Sequence, residues 1–293
     1  MSIFSVRFII RSLFVIIVCL AQNADARLWI IGQQKDTIEE YTKKMGRPAG
    51  IMAYTSIQKM EGFDAPADQG GGVQDMRYYL QHYPRTPIQL GLYMNGALDD
   101  VSAGRYNGNI HQLGQWIKKA KRPVYLRIGY EFDLPDNHYD PQEYIQAYQY
   151  IVDHLRSQGV ANASYVWHSA AAFDHRDFML WYPGDDYVDW FAVSFFNPMQ
   201  AQTADDFAAL ARKHDKPFMI AESSPAGLYT VRGKKDWYNR YFDFIRKHDI
   251  PVVCYINSNW DWYPLFKQMH WGDARVEANA EIKTLWLKET RDK

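Results

Sequence analysis

The sequence predicts a (β/α)₈ TIM barrel folded as a single domain, and three observations carry that prediction. Short apolar runs recur eight times, at 28–31, 50–55, 88–94, 124–130, 164–169, 188–195, 218–221 and 252–257. Amphipathic helical patterns lie between most of them. Prolines punctuate the boundaries: Pro87, Pro123 and Pro217 lead into three of the runs, and Pro251 stands ahead of the eighth. The residue before a proline is pushed out of helical geometry, so each X-Pro step ends a helix and opens an extended segment. Eight strand–helix units in roughly 260 residues match the size of such a barrel. A doubly wound open sheet is the competing architecture. It carries a glycine-rich phosphate turn after a strand, and no run here is followed by one. Gly70, Gly71 and Gly72 lie well past the second run, lack a following Lys-Ser/Thr, and read as a flexible loop.

Taken in order, the elements are consistent with this. Most runs are near-continuously apolar, as strands covered on both faces are. Helices are expected at 36–45, 73–82, 110–121, 141–157, 205–214, 234–248 and 277–288. The clearest is 141–157: Asp140 caps it, Pro141 suits the first helical position, and Glu143 occupies the capping-box site. Its apolar stripe comprises Tyr144, Ile145, Ala147, Tyr148, Ile151, Val152 and Leu155. Between strands five and six the signal is poor, and 173–182 reads as a short helix or a loop.

Residues 1–26 read as a cleavable signal peptide. Arg7 and Arg11 precede the apolar run 12–21, and Ala24-Asp25-Ala26 supplies a small-residue exit. The run is shorter than the ~20 residues a membrane-spanning helix needs. The expectation is a secreted or periplasmic chain, with the barrel domain at 27–293. Cys19 leaves with the signal, so Cys254 stands alone and no intrachain disulfide is available. Stability then rests on the core, within which Cys254 reads as a small buried hydrophobe.

The 33 basic and 34 acidic residues nearly cancel, which argues against binding to nucleic-acid phosphates or an anionic membrane surface. The 10 Trp, 21 Tyr and 15 Phe suffice both for an aromatic core and for surfaces that stack on a flat, half-apolar ligand. No HExxH, CxxC or G-x-S-x-G occurs. His138, His168, Asp174 and His175 have no metal-ligand spacing, so no metal and no cofactor are expected.

A barrel enzyme builds its site at the C-terminal ends of the strands. Strand four ends in Arg127, Tyr130, Glu131 and Asp133, and strand five in Trp167, His168 and Ser169. Strand six ends in Ser194 to Asn197, strand seven in Glu222, and strand eight in Asn257, Asn259, Trp260, Asp261 and Trp262. Glu131 and Glu222 emerge from apolar runs, where a carboxylate is costly unless paired or functional. Strands four and seven lie roughly across the mouth from each other, so the two can converge. Paired carboxylates suit glycoside hydrolysis; ordinary strand-end ion pairs are the alternative reading.

Three stretches resemble glycoside hydrolase family 26, the β-mannanase family among the retaining (β/α)₈ glycosidases. They are Arg-Pro-Val-Tyr-Leu-Arg-Ile-Gly-Tyr-Glu at 122–131, Trp-Tyr-Pro-Gly-Asp-Asp-Tyr-Val-Asp-Trp at 181–190, and Lys-Pro-Phe-Met-Ile-Ala-Glu-Ser at 216–223. The resemblance implies Glu131 as acid/base, Glu222 as nucleophile, Arg127 as the arginine beside them and Trp260 as the aromatic after strand eight. It implies a polysaccharide or oligosaccharide substrate, of the β-mannan type, cut with retention; the chain is expected to act as a monomer. Tyr130, Trp167, Trp262, His168, Asn197 and Asn257 are the further candidates for touching sugar. The sequence departs from the family where Tyr130 replaces a histidine, and where Phe195 and Phe196 replace a strand-six tyrosine. It departs again where 133–138 replaces an aromatic segment. A glycosidase for another β-glycan (xylan, glucan or exopolysaccharide) and a non-catalytic glycan-binding barrel are the other readings. Retention requires Glu222 ionised, Glu131 protonated, and carboxyls roughly 5–5.5 Å apart.

Overall fold

The computed structural model describes residues 27–68, 70–171 and 177–290. The expected signal peptide at 1–26, Asp174 and His175, and the start of 173–182 lie outside the described residues. Eight parallel strands close into a barrel in chain order. They are β1 (Leu28–Gly32), β2 (Gly50–Ser56), β3 (Ile88–Tyr93) and β4 (Val124–Ile128), then β5 (Ala163–Ser169), β6 (Trp190–Phe195), β7 (Phe218–Ser223) and β8 (Val252–Ile256). Each predicted run becomes one of them, and β8 pairs with β1 to seal the sheet.

The prolines find their physical use at the N-terminal rim. The carbonyls of Pro87, Pro123, Pro217 and Pro251 accept from the amides of Ile51, Ile88, Phe191 and Leu28 on the neighbouring strands. A residue without an N–H serves there, because the ladder asks that position for an acceptor.

The helices are α1 (Lys35–Met45), α2 (Met76–His82), α3 (Leu98–Ser102), α4 (Asn107–Ala120), α5 (Pro141–Ser157), α6 (Ala201–Lys213), α7 (Val231–Lys247), α8 (Pro264–Gln268) and α9 (Ala280–Thr290). The seven predicted helices are present, with ends that shift by a few residues. In α5 the Asp140 carboxylate accepts from the amides of Gln142 and Glu143, and the predicted stripe is buried except for the half-buried Ile145. The short α3 and α8 carry too few residues to show a period. Also unpredicted is a two-stranded ribbon, Ala67–Asp68 against Val73–Gln74, whose connection contains the three glycines. The segment before β6 holds one turn of 3₁₀-helix, Phe178–Trp181.

Strand alternation sorts the side chains into two cores. One set fills the space between barrel and helices, among them Ile31, Leu90, Leu126, Trp167, Phe191 and Phe195. The other fills the barrel interior: Ile30, Met52, Tyr54, Val166, Ala192, Met219, Ala221 and Cys254. Cys254 is fully buried, as expected. Between β6 and β7 the register moves from Val193↔Ile220 to Ser194↔Glu222, so Ala221 is an extra residue in β7. This bulge lets Glu222 follow Ala221 inward instead of alternating out to the helices. The Gln89 side chain crosses the barrel and donates to the Ala221 carbonyl at 2.8 Å, which ties down the bulge. Among the described residues no helix is long and apolar enough to cross a membrane.

Candidate active site

The site begins with the inward parity of β4. Tyr125 and Arg127 point into the barrel, while Val124, Leu126 and Ile128 pack against the helices. Arg127 is fully buried and its Nη1 donates to Glu222 Oε1 from β7. Burial works against the guanidinium charge. The neighbouring Tyr54 hydroxyl and the Glu222 carboxylate more than offset it, and the Arg127 pKa is raised. The guanidinium also lies 4.9 and 4.7 Å from the ring centres of Tyr54 and Tyr130.

Gly91 on β3 makes this packing possible. A Cβ there would sit 2.8 Å from both Arg127 Nη2 and Tyr54 Cδ1, and 3.1 Å from Tyr130 Cε1. Gly91→Ala is therefore expected to displace the floor of the site, at a cost of about 1–3 kcal/mol. Thermal denaturation alongside kcat checks it, and a loss in both is the expected result.

Glu131 follows at the strand's end with φ of 53°, in the left-handed region that a residue with a Cβ rarely adopts. Several contacts hold it there. The Asn137 amide donates to the carbonyls of Tyr130 and Glu131, at 3.2 and 2.9 Å. Asp133 accepts from the Ser169 hydroxyl and the Ala170 amide, each at 2.7 Å, which fastens the loop to the end of β5. The segment 133–138 thus braces the turn that presents Glu131.

Ser194 brings the two carboxylates together. It is the register partner of Glu222 on the adjacent strand, and its Oγ lies 2.6 Å from Glu131 Oε1. Neighbouring strands are ~4.8 Å apart, so both acids face one small volume. The pKa of Glu131 is pushed up to about 8, first by burial and then by the Glu222 charge; the Ser194 hydrogen bond acts in the opposite direction. His168 is fully buried inside, 3.1 Å from Arg127 Nη1 through Nδ1 and 3.1 Å from Ser194 Oγ through Nε2.

The remaining candidates fall in different places. Tyr130 lines the floor, its ring 5.6 Å from Tyr54 and 5.8 Å from Tyr93. Trp167, expected at the sugar, faces the helices instead. It stacks on Phe132 at 4.5 Å and packs against Phe191 and Phe207. The reason is strand parity: Val166 and His168 point in, so Trp167 must point out. Asn197 is exposed and spends its side chain on the Met199 amide, capping a 3₁₀ turn. Trp260 does stand at the mouth, but only 2% of it is exposed. Phe266 and Trp271 cover it, and its indole N–H donates to Ser224. Trp262, two residues on, is 54% exposed with the Arg275 guanidinium over one face.

No role follows from the sequence for Tyr54, Ser194, Asn137 or Asp133, although Ser194 and Asp133 stand among the strand-end residues. Tyr54 is the most informative: its hydroxyl donates to Met52 Sδ at 3.1 Å on the barrel floor, and its pKa is raised well above the usual phenol value, first by burial and next by the charge of Glu222. A phenol beside Glu222 thus comes from β2, whereas Phe195 and Phe196 carry no hydroxyl. Alternation in β2 would have marked Tyr54 as inward, but not which acid it meets.

A closed parallel barrel with two acids converging at the C-terminal mouth is a glycoside hydrolase architecture. The chain belongs to glycosyl hydrolase family 26, whose sequence profile matches residues 93–264. A β-1,3-xylanase from a Vibrio species is 32% identical over 294 residues, covering 89% of this chain and 64% of the xylanase. A second, from an Alcaligenes species, is 32% identical over 288 residues, covering 87% and 61%. The chain thus spans less than two thirds of the length of these relatives. The solved family 26 β-mannanase of Bacteroides ovatus superposes with a TM-score of 0.66 at 14% identity, covering 92% of this chain and 89% of that one. At that identity the likeness speaks to the fold.

Proposed function

We propose that this chain is a secreted, retaining β-glycan hydrolase that works by double displacement, with Glu222 as nucleophile and Glu131 as acid/base. The observation that carries the reading is Ser194, which bonds Glu131 and pairs in register with Glu222. In the first step Glu222 attacks the anomeric carbon as the glycosidic C–O bond breaks, and the Glu131 proton passes to the leaving oxygen. In the second, water attacks the same carbon, Glu131 takes its proton, and the Glu222 ester bond breaks.

Electrostatics supports the change of role. A carboxyl with a pKa near 8 is protonated at neutral pH, as an acid must be. Esterifying Glu222 removes the charge that helps hold that pKa up. Glu131 then ionises more readily and is ready to act as base. A non-catalytic glycan-binding barrel would have no need of this tuning. The expected pH profile of kcat/KM has an alkaline limb near 8, because activity is lost as Glu131 gives up its proton. A profile flat to pH 10 would contradict the assignment.

For substrate, β-1,3-linked xylan comes ahead of the β-mannan implied by the first resemblance. The relatives sharing 32% of residues over most of this chain are named β-1,3-xylanases, whereas the Bacteroides ovatus mannanase shares 14%. Tyr130 also stands where the mannanase pattern has a histidine, and Phe195 and Phe196 stand where it has a tyrosine. Incubation with β-1,3-xylan, β-1,4-xylan, β-mannan and β-glucans, with products analysed by mass spectrometry, tests this. Xylooligosaccharides from the β-1,3 polymer are expected. Release from mannan alone would restore the mannanase reading, and no release from any polymer would overturn the enzyme.

A further inference from the structure

We propose that His168 and Ser194 form a one-way hydrogen-bond relay from Arg127 to Glu131, acting as positioning residues that keep Glu131 Oε1 a permanent acceptor and leave Oε2 to exchange the proton with substrate. The proposal rests on the acid/base reading of Glu131 given above, and its direction follows step by step. A guanidinium only donates. Arg127 Nη1 lies 3.1 Å from His168 Nδ1, so that nitrogen must present its lone pair. The ring is neutral, because burial and then the Arg127 charge hold the His168 pKa well below its usual value. Its single N–H is therefore on Nε2 and points at Ser194 Oγ, 3.1 Å away.

Ser194 is fully buried, and its only other partner among the described residues is Glu131 Oε1 at 2.6 Å. Were Glu131 to place its proton on Oε1 and donate to Ser194, the serine O–H would be left buried with no acceptor, a costly arrangement. The serine proton thus goes to Oε1, and the acidic proton to Oε2. The same Nη1 also holds Glu222, so nucleophile and acid/base sit at two ends of one polarised chain. In the deglycosylation step the Ser194 donor favours the ionised carboxyl that accepts a proton from water.

The test uses the full chain and two independent readings. The first is ¹⁵N NMR of His168 in the wild type, which is expected to show a protonated Nε2 and a bare Nδ1. A proton on Nδ1, or a cationic ring at neutral pH, would overturn the relay whether or not any substrate is known. The second compares Ser194→Ala with Ser194→Thr, following the Glu131 midpoint by difference infrared spectroscopy together with the pH–rate profile. In Ser194→Ala the Glu131 midpoint and the alkaline limb are expected to move to higher pH, because a donor that favours the anion is gone. The other groups facing Glu131 are untouched: Glu222 from β7, Arg127 from β4, and Asp133, Tyr130 and Tyr139 from the following segment. A fall in kcat of about 10- to 100-fold with KM nearly constant is expected, and Ser194→Thr should recover both limb and rate. A folded Ser194→Ala protein with an unmoved midpoint contradicts the proposal. If the wild type titrates as described yet cleaves no glycan, the glycosidase reading fails and the relay stands.

Discussion

Replacing Glu222 by Ala is expected to lower kcat on the order of 10⁴-fold or more while the barrel still folds. The side chain sits at the C-terminal end of β7, reached by a bulge, and among the described residues its charged partner is Arg127. Without it no oxygen stands where a nucleophile is needed. Glu131→Ala should be nearly as damaging for a polysaccharide, whose alkoxide leaving group needs a proton. It should be milder for an aryl glycoside with an acidic phenol, which departs unaided. Added azide separates the two roles, because a small anion can enter either vacated space. In Glu222→Ala it attacks from the nucleophile's face and gives the α-glycosyl azide. In Glu131→Ala it attacks the glycosyl ester and gives the β-azide. Exchanged stereochemistry would exchange the assignments, and full activity in either variant would remove that residue from the mechanism.

Arg127→Met carries the second large effect. The guanidinium is fully buried, bonds Glu222 and His168, and lies beside the rings of Tyr54 and Tyr130. Methionine leaves Glu222 as a buried charge without its counterion, and removing one partner of a buried pair costs about 3–5 kcal/mol. Denaturant unfolding should show that loss, accompanied by near-abolition of kcat. Arg127→Lys should recover part of the stability and little of the rate. One ammonium can face Glu222, but it lacks the planar guanidinium that packs on the rings of Tyr54 and Tyr130 and so sets Nη1 between Glu222 and His168. Wild-type stability in Arg127→Met would mean that the pair contributes nothing to the fold.

Much of the architecture was legible because strands covered on both faces need apolar runs, and because prolines mark the rim where only a carbonyl is used. The Ala67–Asp68 ribbon and the helices α3 and α8 escaped notice, since two to five residues cannot display a period. Glu131 and Glu222 were visible as charges leaving apolar runs. Ser194 stood at the end of strand six without a role, because a serine in an apolar strand is ordinary until the closed barrel sets it beside Glu131 and Glu222. Tyr54 was hidden for the same reason: β2 and β7 meet only across the interior. Trp167 was misplaced by composition, although the alternation that turns Arg127 and His168 inward also turns it outward. Trp260 was placed at the right end of the right strand. Its burial under Phe266 and Trp271 depends on the chain returning through residues 264–271, which strand patterns do not foretell.

The most direct measurement is the anomeric form of the first product, read by proton NMR in the opening minutes of hydrolysis, before mutarotation. Two carboxylates sharing Ser194 and acting in turn on one sugar ring predict the β-anomer. An α-anomer would mean a single displacement by water, and would contradict the assignment of Glu222 as nucleophile and Glu131 as acid/base.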